Sequence, residues 1–407
     1  MKVALFFLGA ENPYPGAGWT RVEFLAKTLA ERGYPVEVMG VFTLGKRRAT
    51  VVNNGCIRIL NIIPRLSGTI PFSMILNIIM SFITSFVVLL AKRPKVMVIS
   101  LPGCHSDLGV MLASNLLRIK YVIDYRDEWE DYLINSTSSP LGRLFYRLIK
   151  KISTKLYKNA LFVSCVTAGF AKNLREKRGI KNVILVPNGA DTEILKPYDK
   201  KLMKTLAGLH NHFVIAYMGS LSIYHDLETF MKALKSLSLE IIRRIRLLIL
   251  SPDRSAAQIK ALVKKYGLEE IAHFFKAHIE KTKVARLLSA ADIGLIAGLY
   301  SENQVPVRFY EYCACGLPVI AIVQERFLEN SILSKLILRN EIGFVLSTSS
   351  IEEISKTIQS LLNNRELLEK MGRRARRLAK SEFDRHLFSE IFLKELNKRL
   401  YDEHRHR

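Results

Sequence analysis

Between Ser301 and Ala321 the chain reads SENQVPVRFYEYCACGLPVIA. Pro306 and Val307 open a helix, Arg308 falls in its first turn, and Glu311 follows one turn later on the same face. A helix dipole opposes a cation in the first turn unless an anion lies in front of it. Arg308 there suits a diphosphate, and Glu311 suits a ribose diol. As local structure alone, the two are an i,i+3 surface pair. Gly316 and Pro318 close the helix, and Val319 and Ile320 begin a strand.

Four other segments carry residues of the right types. Small residues at Pro15-Gly16-Ala17-Gly18 let backbone N–H groups approach a phosphate or a sugar; a plain turn is the alternative, and no G-x-G-x-x-G is present. Gly219-Ser220-Leu221-Ser222 leads into a helix at Leu227, with His225 placed either to meet a phosphate oxygen or to cap the turn. In DYRDEW, Asp127 is either a site carboxylate or a helix cap, and Arg126 either pairs with it or meets an anionic substrate. His105, in LPGCHSDLG, either faces a substrate or is an ordinary loop histidine.

These segments follow apolar runs. Lys2 to Gly9 is continuously apolar, as a parallel strand buried on both faces must be, and it reads better as a strand than as a short signal peptide. A helix is expected over about Arg21 to Arg32, then strands at PVEVMGVF, Val96–Ser100, Tyr121–Asp124, Leu161–Cys165 and from Asn182. After Lys196 the alternation restarts with FVIAYMGS and RLLILS, followed by strands at Ala291–Ala297, PVIAI and GFVLS. Three helical stretches end the chain. Two successive βαβ series predict an α/β protein of two Rossmann-like, doubly wound domains facing each other across a cleft. Ligands of such sheets bind at the carboxyl ends of strands, where helix N-termini favour anions.

Composition narrows the partners. Lys and Arg number 61 against 37 Asp and Glu, a net charge of +24. That balance favours polyanions. Arg143 to Lys181 holds eleven basic residues and one acidic, Glu176. With no RNA-recognition aromatic motif and no Cys/His finger spacing, nucleic acid is not expected, and an anionic membrane surface is. Five Cys without a C-x-x-C pair exclude a disulfide scaffold and a zinc ribbon and indicate a reducing compartment. Ile70 to Ala91 is 22 residues without a charge, long enough to span a bilayer. Its Ser73, Asn77, Ser81, Thr84 and Ser85, and the strand that follows, favour a buried or interface-lying helix.

The segment Pro306, Arg308, Glu311, Tyr312, Ala314, Gly316, Pro318, Val319 resembles the signature of retaining glycosyltransferases of the GT-B fold, family 4. VPNGADTEIL (Val186 to Leu195), YMGSLSIYHDLETFMKAL and DYRDEW fall in the family's order. The resemblance implies an acceptor-side domain at 1–194, a nucleotide-sugar domain at 195–383, and a C-terminal helix at 384–407 that crosses back. It implies Arg308, Asp127 and Arg126 as catalytic residues. It further implies donor binding by Gly16, Gly18, Gly219, Ser220, His225, Asn303, Arg308 and Glu311, with His105 on the acceptor side. Asn303 stands where the family's first Glu of E-x7-E is usual. Gly219-Ser220 and His225-Asp226 stand where relatives carry Gly-Arg and Lys-Gly, so two phosphate-binding cations are absent from their usual places. The implied reaction moves a sugar from a nucleotide-sugar donor to a lipid-linked or polysaccharide acceptor. It needs no cofactor and, with no D-x-D triplet, no metal. The implied location is cytoplasmic, peripheral on the inner face of the cell membrane. A binding protein with a degenerate donor site and a nucleotide-sugar epimerase are the alternatives.

Overall fold

The structure is a computed structural model that describes residues 4–14, 16–68, 71–103, 105–221, 226–276 and 280–402. It divides into two compact units, Met1–Pro187 with Ser389–Arg407, and Asn188–Phe388. The first division falls ahead of the turn Asn188–Ile194, which the sequence reading leaves with the first domain. Local pairing explains this: Ala190 bridges Asp384, and the Arg385 guanidinium donates to the carbonyls of Asn188 and Gly189.

The first unit runs β1 (Ala4–Leu8), α1 (Ala17–Glu31), β2 (Val36–Thr43), β3 (Thr50–Asn54), β4 (Ile57–Arg65), α2 (Pro71–Lys92), β5 (Val96–Leu101), α3 (Ser106–Leu116), β6 (Tyr121–Tyr125), α4 (Trp129–Ser136), α5 (Pro140–Lys158), β7 (Val163–Cys165), α6 (Ala168–Glu176) and β8 (Val183–Leu185). Its sheet has the order β3-β4-β2-β1-β5-β6-β7-β8, parallel except for the β3–β4 hairpin. The order reverses between β1 and β5, so the loops after these strands border one crevice. Strands β1, β5 and β6 are buried at every residue, which is why they read as unbroken apolar runs.

Two elements differ from expectation. Helix α1 starts at Ala17, not Arg21, because Gly16 is extended (φ −154°) and serves as N-cap, and Gly18 and Trp19 are already buried. The hairpin β3–β4 was not expected, although its turn carries Asn54-Gly55, with Gly55 at φ +61°.

Buried ion pairs hold the sheet's carboxyl side. Asp124, at the end of β6, accepts from Arg21 Nε and Nη2 and from Ser100 and Ser164, and Arg21 Nη1 donates to the Pro187 carbonyl. Arg178 grips the fully buried Glu130 through two nitrogens, at 2.9 and 3.0 Å, with Tyr157 donating to the same carboxylate.

Helix α2 is inverted relative to a water-soluble helix. Asn77, Ser81 and Ser85 face inward and are buried, whereas Phe72, Ile75, Ile79, Ile83, Val87 and Leu90 are exposed. Asn77 closes a pair of bonds with the Leu66 backbone, at 2.7 and 3.1 Å. Gly109 of α3 lets α2 approach: a Cβ there would lie 2.3 Å from the Ile78 carbonyl oxygen and 2.6 Å from the Phe82 nitrogen.

The second unit runs α7 (Lys200–Leu206), β9 (Phe213–Met218), α8 (Leu227–Lys235), α9 (Leu239–Arg243), β10 (Ile245–Ser251), α10 (Asp253–Lys265), β11 (Ala272–Lys276), α11 (Lys281–Ser289), β12 (Ile293–Ala297), α12 (Val307–Ala314), β13 (Val319–Val323), α13 (Ile332–Arg339), β14 (Gly343–Ser347), α14 (Ile351–Leu361) and α15 (Arg365–Glu382). Helix α16 (Arg385–Asp402) follows, and from Ser389 it belongs to the first unit. There Phe392 packs edge-on against Phe162. The second sheet is wholly parallel, in the order β11-β10-β9-β12-β13-β14. Its order reverses between β9 and β12, and Gly219 and Arg308 lie just beyond those two strands.

Gly109→Ala should push α2 off α3 and cost about 1–3 kcal/mol by overpacking. A lowered urea midpoint checks this; an unchanged midpoint would mean that the α2–α3 approach is slack.

Candidate functional site

In the second unit Gly219, Ser220, Asn303, Arg308 and Glu311 lie on the segments that follow β9 and β12. Helix α12 begins after Pro306, and Tyr312 locks it in place. The Tyr312 hydroxyl accepts from the Met218 nitrogen at 2.9 Å and lies 3.3 Å from the Leu295 carbonyl oxygen, so it ties α12 to both β9 and β12. Gly294 makes room, since a Cβ would lie 2.5 Å from the Tyr312 ring. Burial pushes the Tyr312 hydroxyl well above the usual phenol value, so it stays a neutral tether.

Anchored in this way, Arg308 reaches back over β9. Its guanidinium lies over the Tyr217 ring, 5.4 Å from the centroid. It rests on Gly219, where a Cβ would stand 3.1 Å from Arg308 Cζ. Gly219 is at φ +131°, a conformation open to glycine, and its N–H is used by the Leu250 carbonyl. The exposed Ser220 offers its carbonyl to the Tyr217 hydroxyl. His225 lies outside the described residues. Beyond it, Asp226 caps α8, accepting from the Thr229 nitrogen and hydroxyl. It does a helix-capping task.

Glu311 is 3 % exposed and pairs with Lys281 at 2.5 Å. Sequence reasoning missed Lys281. It is the first residue of α11, so the argument that singled out Arg308, a cation at the positive end of a helix, applies to it as well. It puts a cation beside the buried Glu311 carboxylate. Asn303 is half-buried in the loop before α12, where its N–H bonds the Ser301 hydroxyl. Cys313 and Cys315 are buried, and burial raises both thiols far above the reactive range.

In the first unit the β1/β5 crevice gathers the remaining residues. Gly16 and Gly18 lie against neighbouring side chains. A Cβ on Gly16 would meet the Tyr14 ring at 2.3 Å, and one on Gly18 would meet the Tyr14 hydroxyl at 2.5 Å and Arg126 Nη1 at 2.8 Å. Tyr14 and Arg126 thus border the loop that opens α1. Arg126 donates to the Ser100 hydroxyl at 2.9 Å, and Ser100 in turn donates to Asp124. Burial alone would raise the Asp124 carboxyl. Arg21, with help from Arg126 and Ser100, holds it below the ordinary carboxylate value. Asp127 is half-buried on the following loop and is not the cap of α4; Glu128 occupies that position. His105 has φ +71° at the start of α3 and packs edge-on against Trp129, 5.6 Å between centroids, joining the loops after β5 and β6.

Asp107 holds the loop before His105, accepting from the Gly103 nitrogen at 2.9 Å. Burial pushes its carboxyl up to about 6, against backbone N–H bonds that lower it. A raised carboxyl is more protonated folded than unfolded. The stability it contributes is therefore full below 3.8 and is lost as the pH rises through about 6, roughly 3 kcal/mol in all. Asp124 acts at lower pH with the opposite sign. Unfolding free energies measured across pH 4 to 7 should show the fall, and Asp107→Asn should remove it; a variant with the same slope would contradict the assignment.

Comparison with known proteins agrees with this architecture. Residues 16–189 match the family described as glycosyl transferase 4-like domain, and residues 199–378 match glycosyl transferases group 1. An uncharacterized glycosyltransferase of Methanocaldococcus jannaschii is 21% identical over 246 residues, and the alignment spans 60% of each protein's length. Among solved structures, sucrose-phosphate synthase from Thermosynechococcus elongatus superposes with a TM-score of 0.80 at 15% identity, covering 99% of this chain and 100% of that one. WaaG, a glycosyltransferase involved in lipopolysaccharide biosynthesis, gives 0.68 at 16%, covering 96% and 98%. Anabaena HepE in complex with UDP-glucose gives 0.69 at 15%, covering 97% and 99%.

Proposed function

We infer that this chain, which belongs to the GT-B glycosyltransferases of the family-4 type, moves a sugar from a nucleotide-sugar donor to a lipid-linked or polysaccharide acceptor. The observation that carries the reading is Arg308 seated on Gly219 at the β9/β12 crevice, with the buried Glu311 one turn on.

In this reading the diphosphate lies against the Arg308 guanidinium and the N-terminus of α12, and Glu311 accepts from the ribose hydroxyls. Asn303 meets a sugar hydroxyl, and Ser220 and His225 border the phosphates. As the bond from the sugar carbon to the β-phosphate oxygen breaks, negative charge grows on the diphosphate. Arg308 and the helix terminus meet that charge, so the step calls on no metal ion and no cofactor. The acceptor oxygen attacks from the leaving-group face, and its proton passes to the departing β-phosphate oxygen, which retains the anomeric configuration. Asp127 and Arg126, with His105, border the acceptor in the first unit. The enzyme works in the cytoplasm, peripheral on the inner face of the membrane. WaaG's role in lipopolysaccharide biosynthesis and the UDP-glucose in the Anabaena structure support this choice of acceptor and donor classes.

A thermal-shift panel of UDP-, GDP-, ADP- and CMP-sugars tests the reading, since a ligand that binds only the native state raises the midpoint. One nucleotide class should stabilise the protein; no shift from any of them would contradict donor binding. With that donor, Arg308→Ala should lower kcat about 10²–10³-fold with a smaller change in KM. Glu311→Ala should weaken donor binding by about 1.5–3 kcal/mol, against about 1 for Asn303→Ala. A change in KM alone for Arg308→Ala, or equal losses for the other two, would remove those roles.

A further inference from the structure

The inverted helix α2 has a neighbour of the same character. Helix α5 exposes Leu141, Leu144, Leu148 and Ile152 along one stripe. Arg143, Arg147, Lys151 and Lys155 are exposed beside them, and the helix has no acidic residue. The two helices lie on the same side of the first unit's sheet: both pack on α3, and the Tyr146 hydroxyl of α5 bonds Met74 Sδ of α2 at 3.4 Å. Between α2 and α3 a mostly apolar groove of about 430 Å³, lined by Ile78, Ile79, Phe82, Leu112, Asn115 and Leu116, extends the same surface.

Water is the wrong solvent for this arrangement. A surface helix ordinarily turns its apolar stripe to the core, yet α2 buries Asn77, Ser81 and Ser85 and exposes Ile75, Ile79, Ile83 and Val87. Phe72–Lys92 is long and apolar enough to cross a membrane by length and composition. However, Met74, Asn77, Ser81, Ser85 and Leu89 are buried along its whole length, and the helix packs on α3 and β4, so it is a fixed part of its unit. Small residues at a close helix contact, with apolar residues outside, are the pattern of helices packed in lipid. The cations of α5 decide between possible occupants. A second copy would bring Arg147 and Lys151 against their own counterparts, whereas an anionic lipid surface complements them.

We propose that the exposed faces of α2 and α5 together form a membrane-docking surface, with α2 lying in the plane of the interface and the α5 cations on anionic headgroups. The proposal rests on the lipid-linked acceptor inferred above and names the surface that brings the enzyme to it. Apolar insertion plus basic contacts is the two-signal combination that gives stable peripheral attachment.

Flotation of the full chain with phosphatidylglycerol-containing vesicles and with purely phosphatidylcholine vesicles tests this. The wild type should float with the anionic vesicles and be released by salt. Arg147→Glu/Lys151→Glu/Lys155→Glu should lose affinity by about fivefold for each cation removed. Ile83→Glu/Val87→Glu, at exposed positions, should abolish binding while keeping the wild-type melting temperature. Failure of the wild type to float, or flotation of both variants as well as the wild type, would overturn the proposal. So would a wild-type dimer that ignores vesicles and becomes monomeric in Ile83→Glu/Val87→Glu. The nucleotide-sugar thermal shift, run on the same variants, separates the two readings. A preserved shift without vesicle binding sinks only the docking surface; vesicle binding without any shift sinks only the transferase reading.

Discussion

Arg308 occupies a place that the backbone disfavours. It is a cation in the first turn of α12, facing the positive end of the helix dipole. Stacking over Tyr217 and the seat on Gly219 fix its position. Several features of the second unit keep Arg308 there. Tyr312 pins α12 to two strands, Gly294 yields the space for its ring, and the order reversal between β9 and β12 opens the crevice.

The first unit solves a related problem with the opposite sign. Asp124 ends a wholly buried strand, and its charge is sustained by Arg21, Ser100 and Ser164. Through Ser100 the same network orients Arg126, and Arg126 and Tyr14 fill the space over Gly16 and Gly18. Glu130 repeats the pattern with Arg178 and Tyr157. Buried pairs of this kind contribute little net stability against an apolar replacement, but losing one partner is costly, so they hold loops in place.

Local physics was legible in the sequence. Unbroken apolar runs marked the buried strands, and the spacing of Pro306, Arg308 and Glu311 marked α12 and its polar face. What stayed hidden depends on contacts distant in the chain. That Tyr14 and Arg126 lie against Gly16 and Gly18 is one such contact. Lys281 meets Glu311 only because α11 and α12 share one face of the sheet. The direction of α2 was hidden for another reason: hydropathy reports how apolar a helix is, and burial of Asn77, Ser81 and Ser85 reports which way it faces. The β3–β4 hairpin was a different kind of omission, since Asn54-Gly55 announces its turn.

The seat of Arg308 on Gly219 can be measured directly. Titration calorimetry of the free nucleoside diphosphates should find one that binds the wild type. Gly219→Ala brings a methyl group 3.1 Å from Arg308 Cζ, at a φ of +131° that alanine adopts only with strain, so it should displace the guanidinium and weaken that binding by about tenfold while circular dichroism stays native. Equal affinity in the two proteins would mean that the diphosphate does not depend on Arg308 at this seat, and the account of the site would be wrong.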